Sequence, residues 1–183
     1  MSVRQLRDWH RPRLEVLAGS GADLLACETI PCLAEVEARV GLFEEFPSVP
    51  GWISCSCRDN RNLCHGETLA EAVALASACP NVVAVGVNCT APRWIEGVLS
   101  SVRDRTHLPL LAYPNSGEVW DANGRCWQPQ QQSLDWGAAS LRWRKAGARL
   151  IGGCCRTTPD TIRAIRACFS LEASTAGRTG KSS

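Results

Sequence analysis

Five short apolar runs, each followed by a helical pattern, constrain most what this chain can fold into. They span 22–28, 51–56, 82–89, 109–113 and 148–154. Apolar residues are nearly continuous within them instead of alternating. That pattern marks strands buried on both faces, as in a parallel sheet. The intervening helices are legible as well. The first covers 4–20 and stops at Gly21. Leu33, Val36, Val40 and Phe43 form one stripe of the second, with Pro31 near its start. Thr68 and Glu71 have capping-box spacing ahead of Leu69, Val73 and Ala76. Thr90-Ala91-Pro92 opens a fourth helix, and 133–145 is a fifth that Gly147 is placed to end. Thr158-Pro159 starts the last, with Ile162 and Ile165 expected on its inner face. The polar tail 172–183 is expected to be disordered, which leaves 1–171 as the folded domain.

Regular alternation of strand and helix implies an α/β fold. An open doubly wound sheet and a (β/α)8 barrel both place chemistry at the carboxyl ends of strands. No Gly-x-Gly-x-x-Gly follows a strand, which weighs against a dinucleotide fold. A barrel needs eight units and typically about 250 residues. This chain of 183 residues offers five units and starts on a helix. Both architectures stay open on these signals, the barrel only as a (β/α)8 TIM-barrel type that is incomplete.

Charge excludes several function classes. The formal net charge is +2 with the signs interspersed, so nothing favours nucleic acid or a membrane surface. No apolar run approaches the roughly 20 residues that span a bilayer. The first residues do not form a secretory signal, so a cytoplasmic location is expected. Eleven cysteines is a high and odd count. In a reducing compartment most are small apolar fillers, not disulfide partners.

Three of the eleven stand apart. Cys89 ends the run 82–89, and the pair Cys154-Cys155 follows Gly152-Gly153 at the end of the run 148–154. If those strands are parallel neighbours, three thiols meet at one end of a sheet. Three thiolates and an open position suit a reactive zinc site better than a closed structural one. Adjacent residues on a regular strand point to opposite faces, so the pair can share a metal only if the backbone turns there. Two buried packing cysteines remain the plain alternative. Glu28 stands at the end of the first run, where it either binds a substrate ammonium or caps the helix ahead of Pro31. Asn88 and Asn115 also end strands and can orient polar groups, although Asn115 precedes a turn-forming Ser116-Gly117. Trp120 and Trp127 flank a loop on the same side, where packing is the usual role of such rings. His65 and His107 read as surface residues, and Arg156 as part of the turn into the last helix.

The stretches His10–Arg13, Gly21–Thr29, Gly86–Cys89, Tyr113–Glu118 and Gly147–Pro159 carry a family resemblance. With them the chain resembles the homocysteine S-methyltransferase family, in particular the S-methylmethionine-dependent type. The resemblance runs from about Trp9 to Cys168. It implies a (β/α)8 barrel and zinc held by Cys89, Cys154 and Cys155. It also implies a glutamate at Glu28 that binds substrate; Asn88, from its place at a strand end, is a further substrate-binding candidate. The implied reaction is methyl transfer from S-methylmethionine or S-adenosylmethionine to homocysteine, forming methionine. No side chain is expected to act as a general base in the methyl transfer.

Betaine or methylcobalamin are weaker donor candidates, because no long C-terminal extension and no cobalamin module are evident. Family members carry three further βα units ahead of this region, including an Asp-Gly strand. The chain therefore looks like the last five-eighths of the domain. Two consequences are expected: a complementing chain that supplies the missing strands, or an inactive, truncated zinc-binding homologue.

Overall fold

The structure, a computed structural model, describes residues 1–129 and 134–176, with only the backbone described for 171–176. Five parallel strands form one sheet. They are β1 (Leu25–Ile30), β2 (Gly51–Cys55), β3 (Val82–Asn88), β4 (Leu110–Tyr113) and, after a small hairpin of β5 (Val119–Asp121) and β6 (Cys126–Gln128), β7 (Ala148–Ile151). The spatial order β1-β2-β3-β4-β7 follows the order of the chain. Helices α1 (Val3–Ala18), α2 (Leu33–Glu45), α3 (Leu69–Ala78), α4 (Pro92–Val102), α5 (Trp136–Lys145) and α6 (Pro159–Ala176) alternate with them.

This order separates the two candidate architectures. Crossovers between parallel strands are right-handed, so a sheet that grows in one direction keeps every helix on one face. A doubly wound sheet must reverse its order at a switch point. No reversal occurs here, and each helix contacts the next along the layer. Five consecutive units of a (β/α)8-type fold result, as the sequence led us to expect.

The core lies between sheet and helices. Ile53, Cys55, Val85 and Val87 meet Val36, Phe43, Leu69, Val73, Ile95 and Leu99 there, all fully buried. Gly86 is required in the middle of β3, since a Cβ on it would overlap the backbone of Leu111 on β4. The capping boxes at Ser2 and at Thr68 both form. Gly147 ends α5 at φ 121°, a conformation that suits glycine. The buried His10 ring of α1 meets Glu35 of α2 at 2.9 Å and fastens the first helix to the layer.

Several expectations need correction. β1 starts at Leu25 and does not end at Glu28. Cys27 pairs with Ile53 and Ile30 with Cys55, so β1 carries one extra residue in a bulge. Thr29, at φ 60°, absorbs it. β7 stops at Ile151, because the backbone turns away at the glycine pair. Ile162 is 46% exposed, and Thr161 and Ile165 face inward in its place. With Pro159 as first residue, positions 161 and 165 are one helical turn apart and share that face. The last helix runs past residue 171 to Ala176, and the rest of the tail, 177–183, lies outside the described residues. The expected start of the fifth helix at residue 133 also lies outside them, and α5 begins at Trp136.

Candidate metal centre

The three thiols stand where strands stop being regular. Cys89 follows β3 directly and adopts φ 49°. Its N–H donates to the Tyr113 carbonyl at 3.3 Å, so the end of β4 holds it. After β7 the chain turns sharply. Cys154 N–H donates to the Pro114 carbonyl at 2.8 Å, and Ser116 N–H donates to the Cys155 carbonyl at 2.9 Å. The exits of β4 and β7 are thereby stitched together. The turn closes on itself when the Thr157 hydroxyl donates to the Cys154 carbonyl at 2.8 Å. A Cβ at Gly153 would collide with the Thr157 side chain, so glycine permits this closure. The turn breaks the strand pleat, and neighbouring cysteines can then face one point.

All three sulfurs lie within 4.8 Å of one another, and Cys89 Sγ is 3.4 Å from Cys155 Sγ. Tetrahedral ligation with Zn–S bonds near 2.3 Å sets sulfur–sulfur distances of about 3.8 Å. The observed spacing brackets that value, so the donor set fits a zinc ion with one position left open. Burial, reinforced by the Cys155 and Cys154 thiols, pushes the Cys89 thiol well above its ordinary range. A cluster that resists ionisation when alone gives up its protons to a divalent cation.

Asn88 sits behind the thiols, 1% exposed. Its Oδ1 accepts from the Thr29 N–H and the Ser54 hydroxyl, both at 2.8 Å. Its Nδ2 donates to Thr29 Oγ1 at 2.8 Å and faces Cys154 Sγ at 3.7 Å. One amide therefore ties the ends of β1, β2 and β3 to a thiol of the β7 turn. All its capacity is used within the chain.

Glu28 is exposed on β1. It lies near Tyr113, whose hydroxyl accepts from Trp52 Nε1 at 3.1 Å. Burial chiefly, with a further push from the Glu28 charge, raises the Tyr113 hydroxyl above its ordinary value. Tyr113 is also the residue whose carbonyl holds Cys89, which places Glu28 at the thiol end of the sheet. Asn115 is buried and accepts from Gly117 N–H at 3.1 Å, a local turn bond. His65 and His107 are exposed. Arg156 does more than make a turn. Its Nε donates to Glu118 at 2.7 Å and links the β7 turn to the segment after β4.

The β5–β6 hairpin was not anticipated. Its signal was present in Asn123-Gly124, a favoured hairpin turn, between Trp120 and Trp127. The hairpin lines one side of an open cavity of about 600 Å³ whose lining includes Cys89, Cys155, Trp94, Trp120 and Trp127. The tryptophans set aside as packing thus stand beside two of the thiols.

A family model described as homocysteine S-methyltransferase matches residues 1–169. The chain is 45% identical to homocysteine S-methyltransferase 1 of Zea mays, covering 98% of this chain and 55% of that one. It is 45% identical to selenocysteine Se-methyltransferase of Brassica oleracea var. italica, covering 90% and 49%. The metallated form of the homocysteine methyltransferase MmuM from Escherichia coli superposes with a TM-score of 0.75 at 42% identity, covering 91% and 52%. The chain spans about half the length of the curated relatives it matches. It belongs to the homocysteine S-methyltransferase family.

Proposed function

We propose that this chain carries the zinc-binding part of an enzyme that transfers a methyl group from a sulfonium donor, S-methylmethionine or S-adenosylmethionine, to homocysteine. The observation that carries the proposal is the cluster of three thiols at strand ends in a chain of this family. Cys89, Cys154 and Cys155 would hold the metal at the strand ends where the acceptor thiol must reach it. Bound zinc supplies a Lewis acid that keeps homocysteine as its thiolate at neutral pH. Glu28 takes the homocysteine ammonium. Asn88 reaches substrate only through the groups it fixes, and its part is to hold Thr29, Ser54 and Cys154 in place. In the transfer, the acceptor thiolate forms a bond to the methyl carbon. The carbon–sulfur bond of the donor breaks, and its electron pair stays on the donor sulfur. With S-methylmethionine two methionines result, and no proton moves in that step. Three reduced thiols suit a reducing compartment, and we assign the protein to the cytoplasm.

Among the described residues no helix is long and apolar enough to cross a membrane. The open edges of β1 and β7 suit strands supplied by a complementing polypeptide. An inactive zinc-binding homologue is the competing reading.

Zinc stoichiometry, homocysteine binding and methyl transfer test these readings together. One zinc per chain is expected, along with zinc-dependent homocysteine uptake. Glu28→Gln should weaken that uptake and leave the zinc content unchanged. Selenocysteine belongs among the acceptors assayed. A chain that takes up no zinc refutes the proposal. Zinc and homocysteine uptake without turnover, even with the rest of the family domain supplied from a relative, selects the inactive homologue.

A further inference from the structure

Two separate surfaces lie at the thiol end of the sheet. One is the open face of the sheet, where Glu28, Trp52 and Tyr113 stand. The other is the cavity under the β5–β6 hairpin, which reaches Cys89 and Cys155 but includes neither Glu28 nor Cys154. If homocysteine occupies the first, the methyl donor needs the second.

The cavity has the chemistry for a sulfonium amino acid. Trp120 and Trp127 pair across the hairpin with ring centroids 5.4 Å apart, and Trp94 lines the same space. Trp120 remains 49% exposed and its neighbour Val119 57% exposed. Indole faces attract a compact, weakly hydrated cation such as a methylated sulfonium. The other end of such a donor carries a carboxylate. Arg58 and Arg93 line the cavity too. Arg93 lies over the Trp94 ring at 5.0 Å and has no carboxylate partner among the described residues. Glu118, the acid of the cavity, is already engaged by Arg156. Aromatic faces, an available guanidinium and two thiols thus occur in one cavity.

We infer that this cavity is the methyl-donor site. It seats an α-amino-acid methylsulfonium with its cationic sulfur against Trp120 and Trp127 and its carboxylate on Arg93. This inference rests on the methyl-transfer reading above and adds where the donor sits. Methyl transfer from that seat forms the new carbon–sulfur bond to the acceptor thiolate and returns the electron pair to the departing thioether.

The test is calorimetric titration of the zinc-loaded chain with S-methylmethionine, S-adenosylmethionine and methionine. Methionine is the uncharged counterpart of the first. S-Methylmethionine should bind tighter than methionine. Trp120→Leu and Trp127→Leu should each weaken it by about tenfold and erase most of that preference. Arg93→Gln lies on an exposed helix surface and keeps the hairpin intact. It should weaken S-methylmethionine severalfold and leave the carboxylate-free dimethylpropylsulfonium unaffected. The S-adenosylmethionine arm tells which sulfonium the cavity accepts. Unchanged S-methylmethionine affinity in both tryptophan variants, or in Arg93→Gln, overturns the inference, as does equal binding of methionine. Homocysteine uptake, followed in the same samples, should not respond to these variants. Its absence from the unaltered chain would refute the methyl-transfer reading, whatever the tryptophan variants do.

Discussion

Asn88→Ala separates what the thiol cluster gains from its surroundings from what the thiols do by themselves. The side chain is buried and makes three hydrogen bonds at 2.8 Å, to Thr29 N–H, Ser54 Oγ and Thr29 Oγ1. Each such bond contributes about 1 kcal/mol net, so alanine should destabilise the metal-free chain by about 3 kcal/mol. Ser54 sets the scale, since its fully buried hydroxyl loses the acceptor that satisfies it. Against a typical domain stability of about 5–15 kcal/mol this is a large fraction.

Asn88→Asp asks a different question of the same position. Aspartate keeps an acceptor for Thr29 N–H and for Ser54. It replaces the Nδ2 donor, 3.7 Å from Cys154 Sγ, with an anionic oxygen. Stability should fall less than for alanine, while metal affinity should drop by about tenfold or more, as for other groups that orient a ligand. Urea unfolding of the metal-free chain reads the first effect, and competition with a chromophoric chelator reads the second. A loss below about 1 kcal/mol for Asn88→Ala would refute the reasoning, because the four contacts could not then be what positions the strand ends.

Three further outcomes follow from the same geometry. Cys89→Ser should lower zinc affinity sharply yet leave the fold intact, which metal analysis and circular dichroism together check. Gly86→Ala should yield insoluble or unfolded protein, since its Cβ would overlap the Leu111 backbone in the middle of the sheet; normal soluble yield would contradict the strand packing. Metal-free protein should lose stability in alkali. Burial pushes the Cys57 thiol up to about 12 and raises Cys55 and Cys27 above the ordinary 9.0. The folded thiols stay neutral while the unfolded ones ionise, so the unfolded state binds fewer protons and stability falls as pH rises above about 9. The slope should be about 1.4 kcal/mol per pH unit for each thiol, read from urea midpoints, and a flat profile would count against the burial.

What the sequence disclosed followed from how local the signals were. Continuous apolar runs identified five parallel strands, because burial on both faces leaves no alternation to read. Adjacent thiols after a glycine pair flagged the β7 turn, because the pair can face one point only if the backbone leaves the strand there. The bulge in β1 was illegible, since Thr29 has a good strand-forming side chain and nothing in it announces φ 60°. The hairpin escaped notice because its two strands hold three residues each and bury almost nothing. The work of Asn88 could not be read at all. Its partners Thr29, Ser54 and Cys154 lie 59, 34 and 66 residues away in the chain. Only the fold brings them to one amide.

The distribution of strain points to the same place. Among the described residues, four other than glycine have positive φ, and three of them are Thr29, Cys89 and Arg156. Each follows or distorts a different strand of the sheet, and each is held by a bond from another element. Thr29 N–H reaches Asn88 of β3. Cys89 N–H reaches the end of β4, and Arg156 pairs with Glu118. Left-handed backbone at such residues costs on the order of 1 kcal/mol or more each and persists only where the surroundings enforce it. A regular strand end would aim neighbouring side chains to opposite faces. Leaving the regular geometry at three strand ends lets Cys89, Cys154 and Cys155 converge on one point, and the local destabilisation is offset by the core beneath.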